Sequence, residues 1–234
     1  MSLEQLVLVR GMRDTRGALL RWNADPWPVL RGWLAGALAV AVALLAGVWL
    51  VAELSPVDLT PLIVPGLSAG ADPGDVANVL WRNSIVLALH ATACVAGFIA
   101  GSSLPLSAAR RTGLSRWVHE RARPIALGWV VAVTAFSLLT QALALGLIGA
   151  QLAHQLDISP ATLLATVLPH ALPELVALFL PLAAWTIAGR RDEWSDLLAA
   201  TFTTVAVAIP ILIVAASWEI YVWPHLLEYA SPLV

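Results

Sequence analysis

The sequence predicts an all-α polytopic membrane protein: a helical bundle with about five transmembrane helices, its N-terminus inside the cell and its C-terminus outside. Three observations predict it: the composition, the apolar windows and the placement of the arginines. Of the 234 residues, 59% are hydrophobic and only 12% are charged, with a mean hydropathy of +0.82. This is far from the usual composition of a soluble domain.

Apolar windows of membrane-spanning length occur five times along the chain. Each has about 20 or more residues with almost no charge, the length that a hydrocarbon core about 30 Å thick requires. The windows lie near residues 30–53, 83–108, 125–151, 162–188 and 197–222. They place a transmembrane bundle at 29–225, after a cytoplasmic N-terminal segment, 1–28, and before a short external tail, 226–234. Scattered apolar positions among the charges of 1–28 fit a short interfacial helix.

The arginines predict the orientation of these helices. All 13 basic residues are arginines, and all but Arg82 lie before or at the start of the first window, between the second and third, or after the fourth. Because basic loops are retained in the cytoplasm, this asymmetry predicts a cytoplasmic N-terminus. The basic connection between the second and third windows also suits contact with anionic headgroups or an acidic partner.

Five polar residues within the windows are the candidate site. At a rise of about 1.5 Å per residue, Asn83, His90, His170, Glu174 and Glu219 all map to the outer half of the membrane, on three helices. Ionisable side chains in hydrocarbon are costly unless they are paired or hydrated. We therefore expect these residues to form one polar cluster, in which the i, i+4 spacing of His170 and Glu174 places both on one helical face.

Four prolines in the last two windows are predicted to bend their helices. Each proline frees the carbonyl one turn earlier, which can then accept a hydrogen bond from a histidine, a water or a ligand. The predicted kinks are at Pro169, Pro173, Pro181 and Pro210.

Three interpretations of the His/Glu cluster remain open from the residues alone. It can be a satisfied hydrogen-bond network that fixes helix packing, a binding site or path for a ligand, ion or proton, or a metal or hydrolytic centre. His170 and Glu174 could supply two zinc ligands and Glu219 or His90 a third, but the H-E-x-x-H pattern of helical zinc proteases is absent. No catalytic residue, bound metal or cofactor is assigned.

The stretch Leu168-Pro169-His170-Ala171-Leu172-Pro173-Glu174-Leu175 resembles the Pro-His-Gly-x-x-Glu signature of stage II sporulation protein M-like membrane proteins. Asn83 at the start of the second window and Glu219 in the last one resemble further features of that family, over roughly residues 75–225. Ala171 stands where the family usually has glycine. The resemblance implies a membrane scaffold that gathers envelope-remodelling partners, with Asn83, His170, Glu174 and Glu219 as its intramembrane polar core.

The expected function is an integral scaffold or a subunit of an envelope complex in the bacterial inner membrane. Its expected partners are the lipid bilayer and membrane or envelope proteins, with a homo-oligomer left open and no nucleic acid. One alternative is a small transporter or permease subunit that uses the polar cluster as a ligand or proton site. A second alternative is an intramembrane metal-dependent enzyme.

Overall fold

The computed structural model describes residues 7–56, 60–103 and 112–233. The helices are α1 (Val7–Ala24), α2 (Trp27–Leu54), α3 (Pro73–Phe98), α4 (Gly113–Gln155), α5 (Pro160–Arg191), α6 (Leu197–Tyr221) and α7 (Trp223–Ala230). A π-helical segment, Ile99–Ser103, continues α3, and a 3₁₀ turn, Trp194–Asp196, leads into α6. Among the described residues, β structure is limited to an isolated bridge between Pro65 and Ala69.

Five helices in the described part of the chain are long and apolar enough to cross a membrane. They are Trp27–Leu54, Pro73–Ser102, Leu127–Gln155, Pro160–Arg191 and Trp194–Tyr221. The predicted fold class, a helical membrane bundle with about five spanning helices, is therefore confirmed. Its orientation in the membrane stays a prediction.

The second spanning helix begins earlier than its apolar window indicates, at Pro73 rather than near residue 83. Asp72 caps it: its Oδ1 accepts hydrogen bonds from the backbone N–H of Gly74 at 2.6 Å and of Asp75 at 3.2 Å. The Asp75 carboxylate in turn accepts from the N–H of Asp72 at 3.0 Å. This reciprocal capping, with proline at the first helical position, starts a helix regardless of hydropathy.

The chain divides into two units, each with a part of every long helix. The first unit comprises Met1–Ala37, Leu87–Thr134 and Leu178–Val207. Its helices meet at small residues: a Cβ added at Gly36 would lie 3.1 Å from that of Ala183, and one added at Gly101 would overlap the Trp194 ring. Such contacts allow close helix approach where lipid supplies no hydrophobic drive between helices.

The second unit comprises Leu38–Val86, Ala135–Ala177 and Ala208–Val234. It has a compact apolar core, formed by Val64, Leu152, Ala153, Leu156, Leu163 and Leu227. The connection between α2 and α3 is folded onto this core, because the Gln155 side chain bonds both backbone groups of Leu62: Leu62 N–H donates at 2.7 Å and Leu62 C=O accepts at 3.0 Å. The Ser231 hydroxyl, just after α7, donates to Leu156 C=O at 2.6 Å.

Candidate functional site

Three helices of the second unit contribute polar side chains that interact with one another. Asn83 lies on α3, Glu174 on α5 and Glu219 on α6. The Glu174 carboxylate lies beside the Asn83 amide and within electrostatic reach of Glu219. We call Asn83, Glu174 and Glu219 the carboxylate set.

The carboxylate set is subject to both repulsive and attractive electrostatic interactions. Glu174 and Glu219 repel when both are ionised, whereas the positive charge of Arg82 attracts Glu219. Asn83 is 9% exposed, and its Nδ2 has no hydrogen-bond partner of normal geometry among the residues that the structure describes. An amide beside one carboxylate, with a second carboxylate within electrostatic reach of the first, suits a site that holds one negative charge, a proton or a small cation.

His170 is buried in the same unit, 6% exposed, one turn before Glu174 on α5. Its ring lies against Trp223, with the ring centroids 5.7 Å apart. Trp223 is itself fixed, because its Nε1 donates to the Thr166 hydroxyl at 3.1 Å. Within the described part of the chain, the Nδ1 of His170 has no hydrogen-bond partner, which leaves a buried polar atom available to a ligand or a water.

A small cleft of about 330 Å³ adjoins His170. Its other lining residues are Pro169, Pro173, Pro210, Ile211, Val214, Ala215 and Trp218. The cleft is mostly apolar with one polar side chain, the usual make-up of a small-molecule pocket.

His90 belongs to the first unit and has its contacts there. Its Nδ1–H donates to Leu178 C=O at 3.1 Å, and its ring packs edge-on against Phe179 with centroids 5.3 Å apart. The side chain is fully buried, and none of the described residues hydrogen-bonds its Nε2. The described contacts of His90 are therefore with α5 backbone and an aromatic ring, rather than with the carboxylate set.

The four prolines all lie inside continuous helices. α5 extends through Pro169, Pro173 and Pro181, and α6 through Pro210. The structure therefore places His170 and Glu174 on one uninterrupted helix, since Pro169 does not begin a new one. The predicted kinks stay predictions.

A metal centre finds no ligand set in residues 7–56, 60–103 and 112–233. No group of three His, Cys, Asp or Glu side chains arranged to hold a metal ion occurs there. Tetrahedral zinc sites need at least three protein ligands, so the hypothesis of a metalloenzyme has no structural support in this part of the chain.

Two residues of this region were not among the predicted site residues. Arg82 attracts Glu219, and Trp223 packs on His170. The sequence did carry a signal for Arg82: it is the one arginine that the predicted topology places outside the cell, whereas the other twelve are placed in the cytoplasm. Trp223 gave no separate signal, because tryptophans near helix ends are common in membrane proteins.

These features define a class of protein: a multi-pass membrane protein of long apolar helices that carry ionisable residues within their spans. Residues 122–224 match the family model described as Stage II sporulation protein M. The protein is thus SpoIIM-like over this region, and the predicted resemblance is confirmed. The match spans a little under half of the chain and includes His170, Glu174 and Glu219, while Asn83 and His90 lie outside it. No curated protein and no solved structure matches the chain.

Proposed function

We propose that the protein is a scaffold or a subunit of an envelope complex in the bacterial inner membrane, and that its intramembrane polar residues fix how its own helices pack. The family match and the five apolar helices support a multi-pass membrane protein. The scaffold role adds that part of its helical surface binds the helices of another membrane protein. A second copy of the chain would use the same surface.

The observation that carries this proposal is the exposure of α4. Only 6% of its most apolar stretch is buried inside the protein, whereas the other four spanning helices have between 22% and 39% buried. Large apolar side chains of α4 such as Phe136 and Leu139 are 70% and 65% exposed. A spanning helix that its own chain leaves uncovered contacts lipid or the helices of a partner.

Small residues on the exposed surface of α4 favour a partner helix over lipid. Gly128 and Ala132 are both exposed and four residues apart, so they lie on one helical face. A Cβ added at Gly128 would meet no atom within 4 Å, so this glycine does not serve packing within the chain. Small residues at this spacing let two membrane helices approach closely.

The carboxylate set supports the second part of the proposal. Asn83, Glu174 and Glu219 come from three helices and interact within one unit. Removing one member of a buried polar group leaves the others without compensation, which costs about 1–3 kcal/mol or more when a charge is involved. The set therefore favours one relative placement of α3, α5 and α6.

The test is blue-native electrophoresis of bacterial membranes that contain the tagged full chain. We expect the wild type to migrate far above the 24.8 kDa of one chain. Gly128→Leu should shift it to lower mass at unchanged abundance, because the larger side chain keeps a partner helix away. The control Leu147→Phe enlarges a side chain that is 52% exposed, 19 residues further along α4, and should not change the migration.

The carboxylate set is tested by abundance. Glu174→Ala should lower the amount of protein in the membrane, whereas substitution of the exposed Glu193 by alanine should not.

Two results would contradict the scaffold role: a wild type that migrates as a single chain under mild solubilisation, or a Gly128→Leu variant that keeps the full complex.

The cleft beside His170 favours a second candidate, a permease subunit with a ligand or proton site at His170 and the carboxylate set. Normal abundance and assembly of Glu174→Ala with loss of the cellular activity would favour this second candidate.

A further inference from the structure

A large apolar cleft lies in the first unit, between α1 and the helices α2, α3 and α6. Its volume is about 1390 Å³, and all but four of its lining residues are apolar. Trp22, Trp33 and Phe98 contribute aromatic walls. Pockets for drug-sized ligands measure about 300–1,000 Å³, so this cleft suits a larger apolar molecule.

The cleft is bounded by fixed contacts at both ends of α1. Near the start of the helix, a Cβ added at Gly11 would lie 3.2 Å from the Phe98 ring, so α1 meets α3 closely there. Near its end, Arg21 Nη2 lies 2.7 Å from Asp196 Oδ2, and the Trp22 and Trp33 rings pack edge-on with centroids 5.2 Å apart. α1 is therefore anchored on either side of the cleft rather than lying loosely over it.

Among the described residues that line the cleft, one side chain is cationic, that of Arg16. Arg16 is exposed, and no salt bridge from it occurs in the described part of the chain. The neighbouring Thr15 hydroxyl already donates to Gly11 C=O at 2.7 Å, and Arg21 is paired with Asp196. The Arg16 guanidinium is thus the cationic donor that these residues offer to an anion, and its planar fork matches the geometry of a phosphate.

We propose that this cleft binds an anionic phospholipid, with its acyl chains along the apolar walls and its phosphate on Arg16. The occupant must combine a long apolar part with a negative group, because the described lining of the cleft combines apolar walls with a cation, Arg16, that has no salt bridge to another described residue. α1 also carries Arg13, which is exposed but does not line the cleft. A basic amphipathic helix of this kind is attracted to anionic lipid surfaces, which brings the lipid to the entrance.

The test is native mass spectrometry of the delipidated full chain, titrated with phosphatidylglycerol or with phosphatidylcholine of the same acyl chains. We expect one phosphatidylglycerol to bind at least tenfold more tightly than phosphatidylcholine. Arg16→Gln should abolish most of this preference, whereas the matched control Arg13→Gln on the same helix should retain it. Val95→Trp, at a lining position that is 37% exposed, should fill the cleft and weaken binding of both lipids. Val131→Trp, outside the cleft, is its control.

Four results would overturn the proposal. Equal binding of the two lipids would show that the negative charge of the lipid plays no role. If Arg13→Gln and Arg16→Gln lost equal amounts of the preference for phosphatidylglycerol, that preference would come from general attraction to the basic surface of α1. Undiminished binding by a folded Val95→Trp variant would place the acyl chains elsewhere. A dimer mass that Val95→Trp abolishes would assign the cleft to a second copy. If Val95→Trp does not fold, the comparison of Arg16→Gln with Arg13→Gln still decides the question.

Discussion

At the scale of single residues, α2 and α4 contact each other in the second unit at two glycines, Gly47 and Gly146, which differ in the room that a side chain would have. A Cβ added at Gly146 would lie 2.5 Å from the Val51 Cβ and 2.9 Å from the Val48 carbonyl oxygen. A Cβ added at Gly47, also on this contact, would lie 3.5 Å from that of Ala142, an ordinary van der Waals distance. The two glycines thus form a matched pair at one helix contact.

We expect Gly146→Ala to lower the free energy of unfolding by roughly 1–3 kcal/mol, because the added methyl group forces α2 and α4 apart. Gly47→Ala should change it by less than about 1 kcal/mol, since there is room for the methyl group. Thermal or denaturant unfolding of the purified protein in detergent measures both. Equal effects of the two variants would show that the close approach at Gly146 is relieved without cost.

The polar residues show what sequence reasoning can supply at this scale. Helical rise gives the depth of each residue along its helix, and hydropathy shows that Asn83, Glu174 and Glu219 lie within apolar spans. Neither gives the rotation of a helix about its axis, which decides what a side chain contacts. This is why the partner Arg82 was not predicted. His90 lies on the same face of α3 as Asn83 but seven residues, or about 10 Å, further along the helix, and its described hydrogen bond is with Leu178.

At the scale of elements, side chains of α4 hold the connection between α2 and α3: Gln151 Nε2 donates to Thr60 C=O, and Gln155 bonds Leu62. The connection is rich in proline and glycine, and hydropathy gives no reason for it to be fixed. Gln155 fixes it by bonding the N–H and C=O of Leu62 at 2.7 and 3.0 Å. Such a contact is not visible in the sequence, because 93 residues separate the two partners.

Gln155→Ala should therefore release this connection while leaving the helices in place. Leu62 loses two hydrogen bonds, each worth about 1 kcal/mol, so we expect the exchange of backbone hydrogens in residues 60–72 to accelerate by about tenfold or more. Gln141→Ala is the control, because the Gln141 amide bonds only Ser137 of its own helix, at 3.2 and 3.0 Å. Unchanged exchange in Gln155→Ala would mean that the Gln151–Thr60 hydrogen bond and the apolar core around Val64 hold the connection without Gln155.

The start of α3 shows a second limit of reasoning from hydropathy. Hydropathy located all five spanning helices, because burial in a hydrocarbon core imposes composition over about 20 residues. It did not locate the start of α3, which is set by the capping residues Asp72, Pro73 and Asp75. Local hydrogen-bond chemistry determines helix ends, and the capping signature in the sequence was the signal that would have placed this one correctly.

At the scale of the whole molecule, the prediction still to be measured is orientation. With Cys94, the single cysteine, replaced by alanine, single cysteines can be placed at Arg190 and at Tyr229, which is 90% exposed. An impermeant maleimide added to spheroplasts should label Tyr229→Cys at once and Arg190→Cys only after lysis, because the arginine-rich ends are expected in the cytoplasm. The reverse labelling pattern would invert the topology.

The anchoring of α1 has a consequence for biosynthesis. Arg21 and Asp196 are 175 positions apart, and ribosomes add about 5–20 residues per second. Roughly 10–35 s therefore separate the emergence of α1 from that of its counter-ion. During this interval α1 lacks its ion pair and has only its contacts with the earlier helices α2 and α3. Formation of the Arg21–Asp196 pair therefore marks the point at which translation has passed residue 196.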